Sequence, residues 1–401
     1  MSRIVVEKLN QLPIYRQRVE IVERKGLGHP DTITDLIANS IGLKLSREYL
    51  KSFGSIMHFN IDKALLAAGE TETRFGGGIL KKPMLLVLGD RATYRVGAEE
   101  IPVDEIAIKT AKQWFKKNLR FVDPYEHVKF QVEIKQGSQE LTDIFRRKQK
   151  VLGANDTSAC VGYAPTSPTE KFLIKLEKFI NSKKFKKRFP ESGEDVKIMA
   201  IRVGERLNLT IAMAFVDRFI KSETDYFRKK SEVLESIEEF GEKECPFKFS
   251  IQLNTLDVKG RGEDGVYLTV LGTSADGADC GQVGRGNKVN GVIPLNRPTS
   301  AEASAGKNPV SHVGNIYNIL TFKIAEEIIR KINGIDEVYV WLVSKIGQRI
   351  DKPAIASVKL ITEKGVEPRK IRERIEDILN KNLERIPKFC MDLAKGRYKL
   401  Y

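Results

Sequence analysis

Between Ala278 and Asn315 the chain sets Arg285, Lys288, Lys307 and His312 into glycine-rich, largely non-hydrophobic sequence, ADCGQVGRGNKVNG and then SAEASAGKNPVSHVGN. Fixed cations beside main-chain N–H groups that glycine leaves approachable are a means of holding a polyphosphate. The same residues also suit a long surface loop with scattered charge. A second group lies at Gly26–Asp31 (GLGHPD), where a strand should run into a helix. Asp31 and Asp35 fall one turn apart on one face. A carboxylate there can bind Mg²⁺, which takes one or two acidic ligands plus phosphate and water, or can stabilise the helix start through the dipole. His29 can donate to a leaving oxygen or serve a structural bond.

Three further segments offer oxygen. Asn60, Asp62, Glu70 and Glu72 suit a hard cation, a substrate ammonium or a polar rim on an α/β core. Gly137-Ser138 and the run Gly153–Ser158 (GANDTS, with Asp156) are short loops of a kind that turns also use. The sequence contains no GxxxxGK[ST] phosphate loop, no GxSxG, no HExxH and no CxxC. Cations, carboxylates and glycine without an obvious nucleophile favour electrostatic catalysis on a polyphosphate over covalent catalysis.

The elements that must position these groups read as mixed α/β. Arg18–Glu23 alternates like a half-buried strand, and Ile33, Ile37, Ile41 and Leu45 recur every fourth residue in a helix expected over Pro30–Ser52. Further helices are expected over Ile106–Arg120, Lys171–Phe189, Ile220–Phe240, Asn315–Lys331 and Glu367–Asn382. Strands are expected at Met84–Leu88, Ala92–Val96, Val128–Ile134, Val196–Val203, Arg206–Phe215, Phe247–Leu253, Gly265–Leu271, Val338–Val343 and Ala356–Ile361. A chain of 401 residues exceeds what one core usually serves. The recurrence of strand-rich and helical stretches gives three α/β subdomains, 1–150, 151–273 and 274–401.

The net charge of +15 allows either a nucleic-acid partner or an anionic small molecule with surplus surface lysine. The densest basic run, Lys171–Phe189, reads as the solvated face of an amphipathic helix, and no zinc-finger or RNP-type motif accompanies it, so no nucleic acid is expected. No apolar run approaches the ~20 residues a membrane span needs. The four scattered cysteines and the charged N-terminus point to a reducing cytoplasm.

Four blocks, ERKGLGHPD at Glu23–Asp31, GANDTS, GRGNKVNG at Gly284–Gly291 and SAGKNPVSHVGNIYN at Ser304–Asn318, resemble the S-adenosylmethionine synthetase (methionine adenosyltransferase) family in its archaeal form. The resemblance extends over essentially the whole chain. It implies three similar α/β subdomains in a pseudo-threefold arrangement and active sites between the subunits of a homodimer or dimer of dimers. It implies that methionine sulfur attacks C5′ of ATP, and that the released triphosphate is then hydrolysed to pyrophosphate and phosphate. By the same resemblance His29 lies near C5′ and the leaving oxygen, Asp31 binds Mg²⁺, and Arg285, Lys288 and Lys307 surround the triphosphate, with His312 beside them. Glu70 and Asp156 fall on the methionine side, and Asp279 contacts adenosine or methionine. Arg206 stands where bacterial members carry a phosphate-binding lysine. The segment Ile134–Leu141, including Gly137, Ser138, Gln139, Glu140 and Leu141, resembles a mobile loop over the nucleotide. Bacterial members also use potassium, with an acidic ligand near Asn60–Asp62, where this chain departs from their pattern. Rival readings are a different ATP-dependent transferase or kinase, and a basic nucleic-acid-binding protein.

Overall fold

Ile33, Ile37, Ile41 and Leu45 are fully buried, so the helix Pro30–Phe53 lays one apolar stripe on a sheet. That sheet pairs Phe59–Ala67 antiparallel with Met84–Ala92, which runs parallel to Val128–Gln136; a second helix, Val103–Asn118, packs with the first. The computed structural model describes residues 3–146 and 151–401.

Two more sheets repeat the scheme, each with its own apolar core. In one, Lys248–Leu253, Arg206–Val216, Ser192–Val203 and Val19–Lys25 lie side by side against the helices Pro168–Ile180 and Glu223–Glu244. In the other, the order is Arg3–Lys8, Ile355–Thr362, Ile335–Val343 and Ala159–Ala164, packed against Val313–Lys331 and Pro368–Glu384. The mixed α/β class read from periodicity is therefore the architecture observed.

The three sheets do not follow the three consecutive segments. Arg3–Lys8 pairs in parallel with Ile355–Thr362, and its Ile4 and Val6 pack on the core of that C-terminal sheet. Val19–Lys25 pairs with Ser192–Val203, while Gly281-Gln282 joins the edge of Phe59–Ala67. Burial of apolar strand faces outweighs chain order. This interleaving carries Lys25 and the start of helix Pro30–Phe53 up against the glycine-rich cassette.

Some local expectations change. The basic helix breaks after Ile180, because Ser182 Oγ accepts from Phe185 N–H (3.2 Å) and starts a separate short helix, Lys183–Arg188. In place of the strand expected over Gly265–Leu271, a 3₁₀ turn, Gly262–Gly265, leads into only the two-residue strand Leu268–Thr269. Among the described residues no helix is long and apolar enough to cross a membrane.

Candidate active site

The strand Val19–Lys25 ends where the helix Pro30–Phe53 begins, and the turn between them is capped by His29. Its Nδ1 accepts from Asp31 N–H (3.2 Å). Asp31 is fully engaged: Oδ1 accepts from Gln282 N–H (2.9 Å), and Oδ2 accepts from Lys25 Nζ (2.8 Å), which also donates to Arg285 O (2.7 Å). One turn on, Asp35 accepts from Gly284 N–H (2.8 Å) and from the Tyr401 hydroxyl (2.9 Å). Burial pushes the Asp35 carboxyl up to about 6. The acidic face of this helix thus latches the backbone of the cassette. A Cβ on Gly281 would strike Pro30 O, and one on Gly286 would strike Asp35 Oδ2. These two glycines serve close packing on the helix start.

The latch presents Arg285 to a cleft of about 430 Å³ whose walls also include Asp62, Lys63, Glu302 and Lys307. Arg285 is exposed, whereas Lys307 is almost wholly buried, its ammonium held by Asp62 Oδ2 and by Glu302 at 3.2 Å. Lys288 stands in an adjoining narrow pocket that shares Gly284 and Glu302 with the cleft, and burial lowers its pKa. His312 caps the helix Val313–Lys331, with Nδ1 accepting from Gly314 N–H (3.1 Å). Asp156, Glu302 and His312 bring ligand atoms within 4.8 Å of one another. With Nδ1 an acceptor, Nε2 of His312 carries the proton, so the imidazole is a donor, and the carboxylates of Asp156 and Glu302 are the groups of this cluster that can accept from an ammonium.

Burial lowers the His312 pKa to about 3 and, with Lys25 and Lys197 opposing Asp31, that of His29 to about 4. Both imidazoles are neutral near pH 7. Because the folded pKa of His312 lies below its unfolded value near 6.5, its contribution to stability is complete above that pH and is lost as pH falls toward 3. By about pH 4.5 the loss amounts to about 3 kcal/mol. His312→Asn keeps a capping side chain and removes the titration, so its melting temperature should fall less than the wild type's between about pH 7 and about pH 4.5. Parallel melting curves across that range would show that His312 is not the source.

The remaining expected residues separate into two sets. The segments that carry Glu70 and Asp279 touch: Gly69 N–H donates to Ala275 O (3.0 Å) and Ala68 N–H to Cys280 Sγ (3.3 Å), with Glu70 paired to Lys82 at 2.5 Å. Gly137-Ser138 links the strand Val128–Gln136 to a helix, Gln139–Arg146, in place of the loop read from sequence. Gly137 packs directly on His58 Nδ1, a buried atom with no partner among the described residues. The side chains of Gln139, Glu140 and Leu141 lie outside what the structure describes.

Arg206 is set apart. It opens a strand at the hairpin beside Val203, which pairs with Val19, whereas Lys197 pairs with Lys25. Six residue steps separate the two ends, roughly 20 Å. Within this chain Lys197, beside Glu23 at 3.7 Å and close enough to lower the His29 pKa, joins Lys25 as a cation this sheet brings near His29. Neither Lys197 nor Lys25 stood out in sequence. Lys25 lies inside the RKGLGHPD run, while Lys197 looks like any strand lysine until the sheet register is known.

A three-sheet α/β frame latches a glycine-rich cassette beside a cleft lined by Lys63, Arg285 and Lys307 together with Asp62 and Glu302. Residues 2–397 match the family described as S-adenosylmethionine synthetase (AdoMet synthetase). The chain is 43% identical to a probable S-adenosylmethionine synthase of Aquifex aeolicus, with 99% of each chain covered. It is 44% identical to the S-adenosylmethionine synthase of Pyrococcus furiosus, again covering 99% of each, and 45% identical to that of Thermococcus onnurineus, covering 100% of this chain and 99% of the relative. The solved structure of an unusual S-adenosylmethionine synthetase from Campylobacter jejuni matches 94% of both chains with a TM-score of 0.59 at 16% identity, a likeness of fold. The chain belongs to the S-adenosylmethionine synthetase family, the methionine adenosyltransferases. That family works with divalent metal ions.

Proposed function

We propose that the cleft between Arg285 and Lys307 receives the triphosphate of ATP, and that methionine sulfur attacks ribose C5′ beside His29. The observation that carries this reading is that Arg285, whose carbonyl accepts from Lys25 near the neutral His29, shares one cleft with Lys307 near the neutral His312. A thioether sulfur is a competent neutral nucleophile, so the chain needs no base to activate it. What it must supply is alignment of sulfur with C5′ and stabilisation of charge on the departing triphosphate. His29 has its Nδ1 committed to Asp31 N–H, so Nε2–H is free to donate to the leaving oxygen. This reading gives the methionine ammonium and the adenosine edge to the carboxylates of Asp156 and Glu302, together with Glu70 and Asp279. Water then attacks the triphosphate while the same cations hold it, giving pyrophosphate and phosphate.

Mg²⁺ is the metal this reading assigns to Asp31. A carboxylate oxygen is a hard ligand and most of the coordination comes from phosphate and water, but both Asp31 oxygens are engaged, so the metal would take Oδ2 by displacing the single ammonium of Lys25. Bound there, Mg²⁺ supplies further neutralisation of phosphate charge. Potassium near Asn60–Asp62 does not fit: Lys63, Asn60 and Lys307 already occupy both oxygens of Asp62.

The same proposal includes a pseudo-threefold arrangement of the three sheets, whose strands interleave across the segments 1–150, 151–273 and 274–401, a reducing cytoplasmic setting and at least a homodimer. The free cysteines accord with that setting. Val19, Ile201 and Val203 are about two-fifths exposed on one sheet face, a patch that a second subunit would cover. The decisive assay incubates the protein with ATP, methionine and Mg²⁺ and looks by mass for the sulfonium product, with pyrophosphate and phosphate and no ADP. Release of ADP would identify a kinase instead. Lys197→Met should cost turnover about tenfold, while Arg206→Met stays within about twofold of wild type. The reverse ranking would return the phosphate role to Arg206.

A further inference from the structure

The polyphosphate end of the cleft is not simply basic. Asp62 enters it from the strand Phe59–Ala67, whose register with Met84–Ala92 slips between Asn60 and Lys63. Such a bulge re-aims side chains beside functional sites. Across the slip stands Asp90, at φ 99°, a conformation that residues other than glycine seldom adopt. Asn60 Nδ2 donates to both carboxyls, to Asp62 Oδ1 at 2.8 Å and Asp90 Oδ2 at 2.9 Å, and Lys63 Nζ reaches the same two groups at 2.6 and 3.8 Å. Asp62 Oδ2 grips Lys307, which Glu302 approaches from the other side.

The charges explain why this matters. With every group ionised, Lys63 and Lys307 face three carboxylates, Asp62, Asp90 and Glu302, a net negative cluster that repels phosphate. One proton shared between the hydrogen-bonded carboxyls of Asp62 and Asp90 brings the cluster to neutrality. Burial and the bond to Asp62 push Asp90 up to about 7. For Asp62, burial acts upward, but the bond with Asp90 and the Lys307 ammonium outweigh it and hold its pKa low. The proton therefore resides on Asp90. The other charged groups facing the pair are Arg91, which draws Asp90 down, and the neutral His312 and His58. Glu133 and Lys135 on the neighbouring strand pair with each other at 3.2 Å.

The geometry points to Asp90 as a positioning residue: through its shared proton it sets the charge on the Asp62–Lys307 contact, and losing that proton as pH rises weakens the grip on polyanions. This inference rests on the reading of the cleft as a triphosphate site. The test is calorimetric binding of inorganic tripolyphosphate to the full chain and to Asp90→Asn, between about pH 6 and about pH 8.5, in buffers of different ionisation enthalpy. The ligand's own ionisation is common to both proteins. The wild type should weaken, relative to Asp90→Asn, on the order of fivefold over that range, and should take up more protons on binding near neutral pH. Asparagine tolerates positive φ, so the variant should fold. As a second arm, Asn60→Ala removes the donor that favours both ionised carboxyls and should move the fall in affinity to higher pH. Parallel pH curves with equal proton uptake, or an unmoved midpoint in Asn60→Ala, would overturn the role of Asp90. If the wild type fails to bind tripolyphosphate at any pH, the triphosphate reading of the cleft falls, and this inference with it.

Discussion

Lys307→Met lowers turnover by on the order of 10²-fold or more, the usual size of losing one preorganised charge contact to a developing anion. Lys307 is the cation whose position is most tightly determined. Its ammonium is clamped by Asp62 and Glu302, its stem lies against Gly314 at the start of a helix, and its backbone carbonyl accepts from Asn315 Nδ2 (2.8 Å). A cation held this way does not reorganise when phosphate charge develops, which is where its catalytic advantage lies. Arg285 is exposed and free to follow the ligand, so its loss should fall more on KM for ATP than on kcat. The clamp also predicts a stability effect. Methionine leaves Asp62, still paired to Lys63, facing the partly exposed Glu302 without the cation between them, at a cost of about 1–3 kcal/mol. Lys307→Met combined with Asp62→Asn should recover part of that stability and none of the turnover. Turnover within a few-fold of wild type for Lys307→Met, measured on protein shown to be folded, would remove Lys307 from the triphosphate site.

How much of this was legible in sequence depends on whether a residue's role is set locally. The helix starting at Pro30 was readable because a fourfold repeat of buried aliphatic residues follows a capping histidine and proline, all contiguous. The cassette was readable as a cation-bearing, glycine-rich stretch. Its partner was not, because the latch joins Asp31 to Gln282 and Asp35 to Gly284 across some 250 positions, and only sheet pairing brings them together. The same reason hides Lys197, whose relevance is a matter of strand register with Lys25. Arg206, one hairpin away, satisfied a sequence pattern while lying, within this chain, at the other end of the strand from Lys25. The edge strand Arg3–Lys8 escaped notice because six residues with charged ends carry little periodic signal, and its parallel partner lies at the far end of the chain.

Asp31→Asn decides between the two roles open to that residue. As a latch, Asp31 needs an oxygen for Gln282 N–H, and an asparagine Oδ1 can still accept that bond. As a partner of Lys25 it needs charge, and the amide substitution turns an ion pair into a donor facing a donor unless the amide rotates away from Gln282. Either outcome loosens one bond in a nearly buried cluster, at about 1–3 kcal/mol. That loss alone would leave the metal requirement untouched. If Asp31 supplies an anionic oxygen to Mg²⁺, the metal concentration for half-maximal rate should rise by about tenfold or more, since a neutral amide oxygen is a much weaker ligand for a hard dication. Lys25→Met separates the effects further: it removes the competing cation and leaves the carboxylate, so it should shift the metal titration toward lower Mg²⁺ while weakening the hold on Arg285 O. A metal titration unchanged in Asp31→Asn, alongside a lowered melting temperature, would assign Asp31 to the latch alone and leave the triphosphate charge to the cations of the cleft.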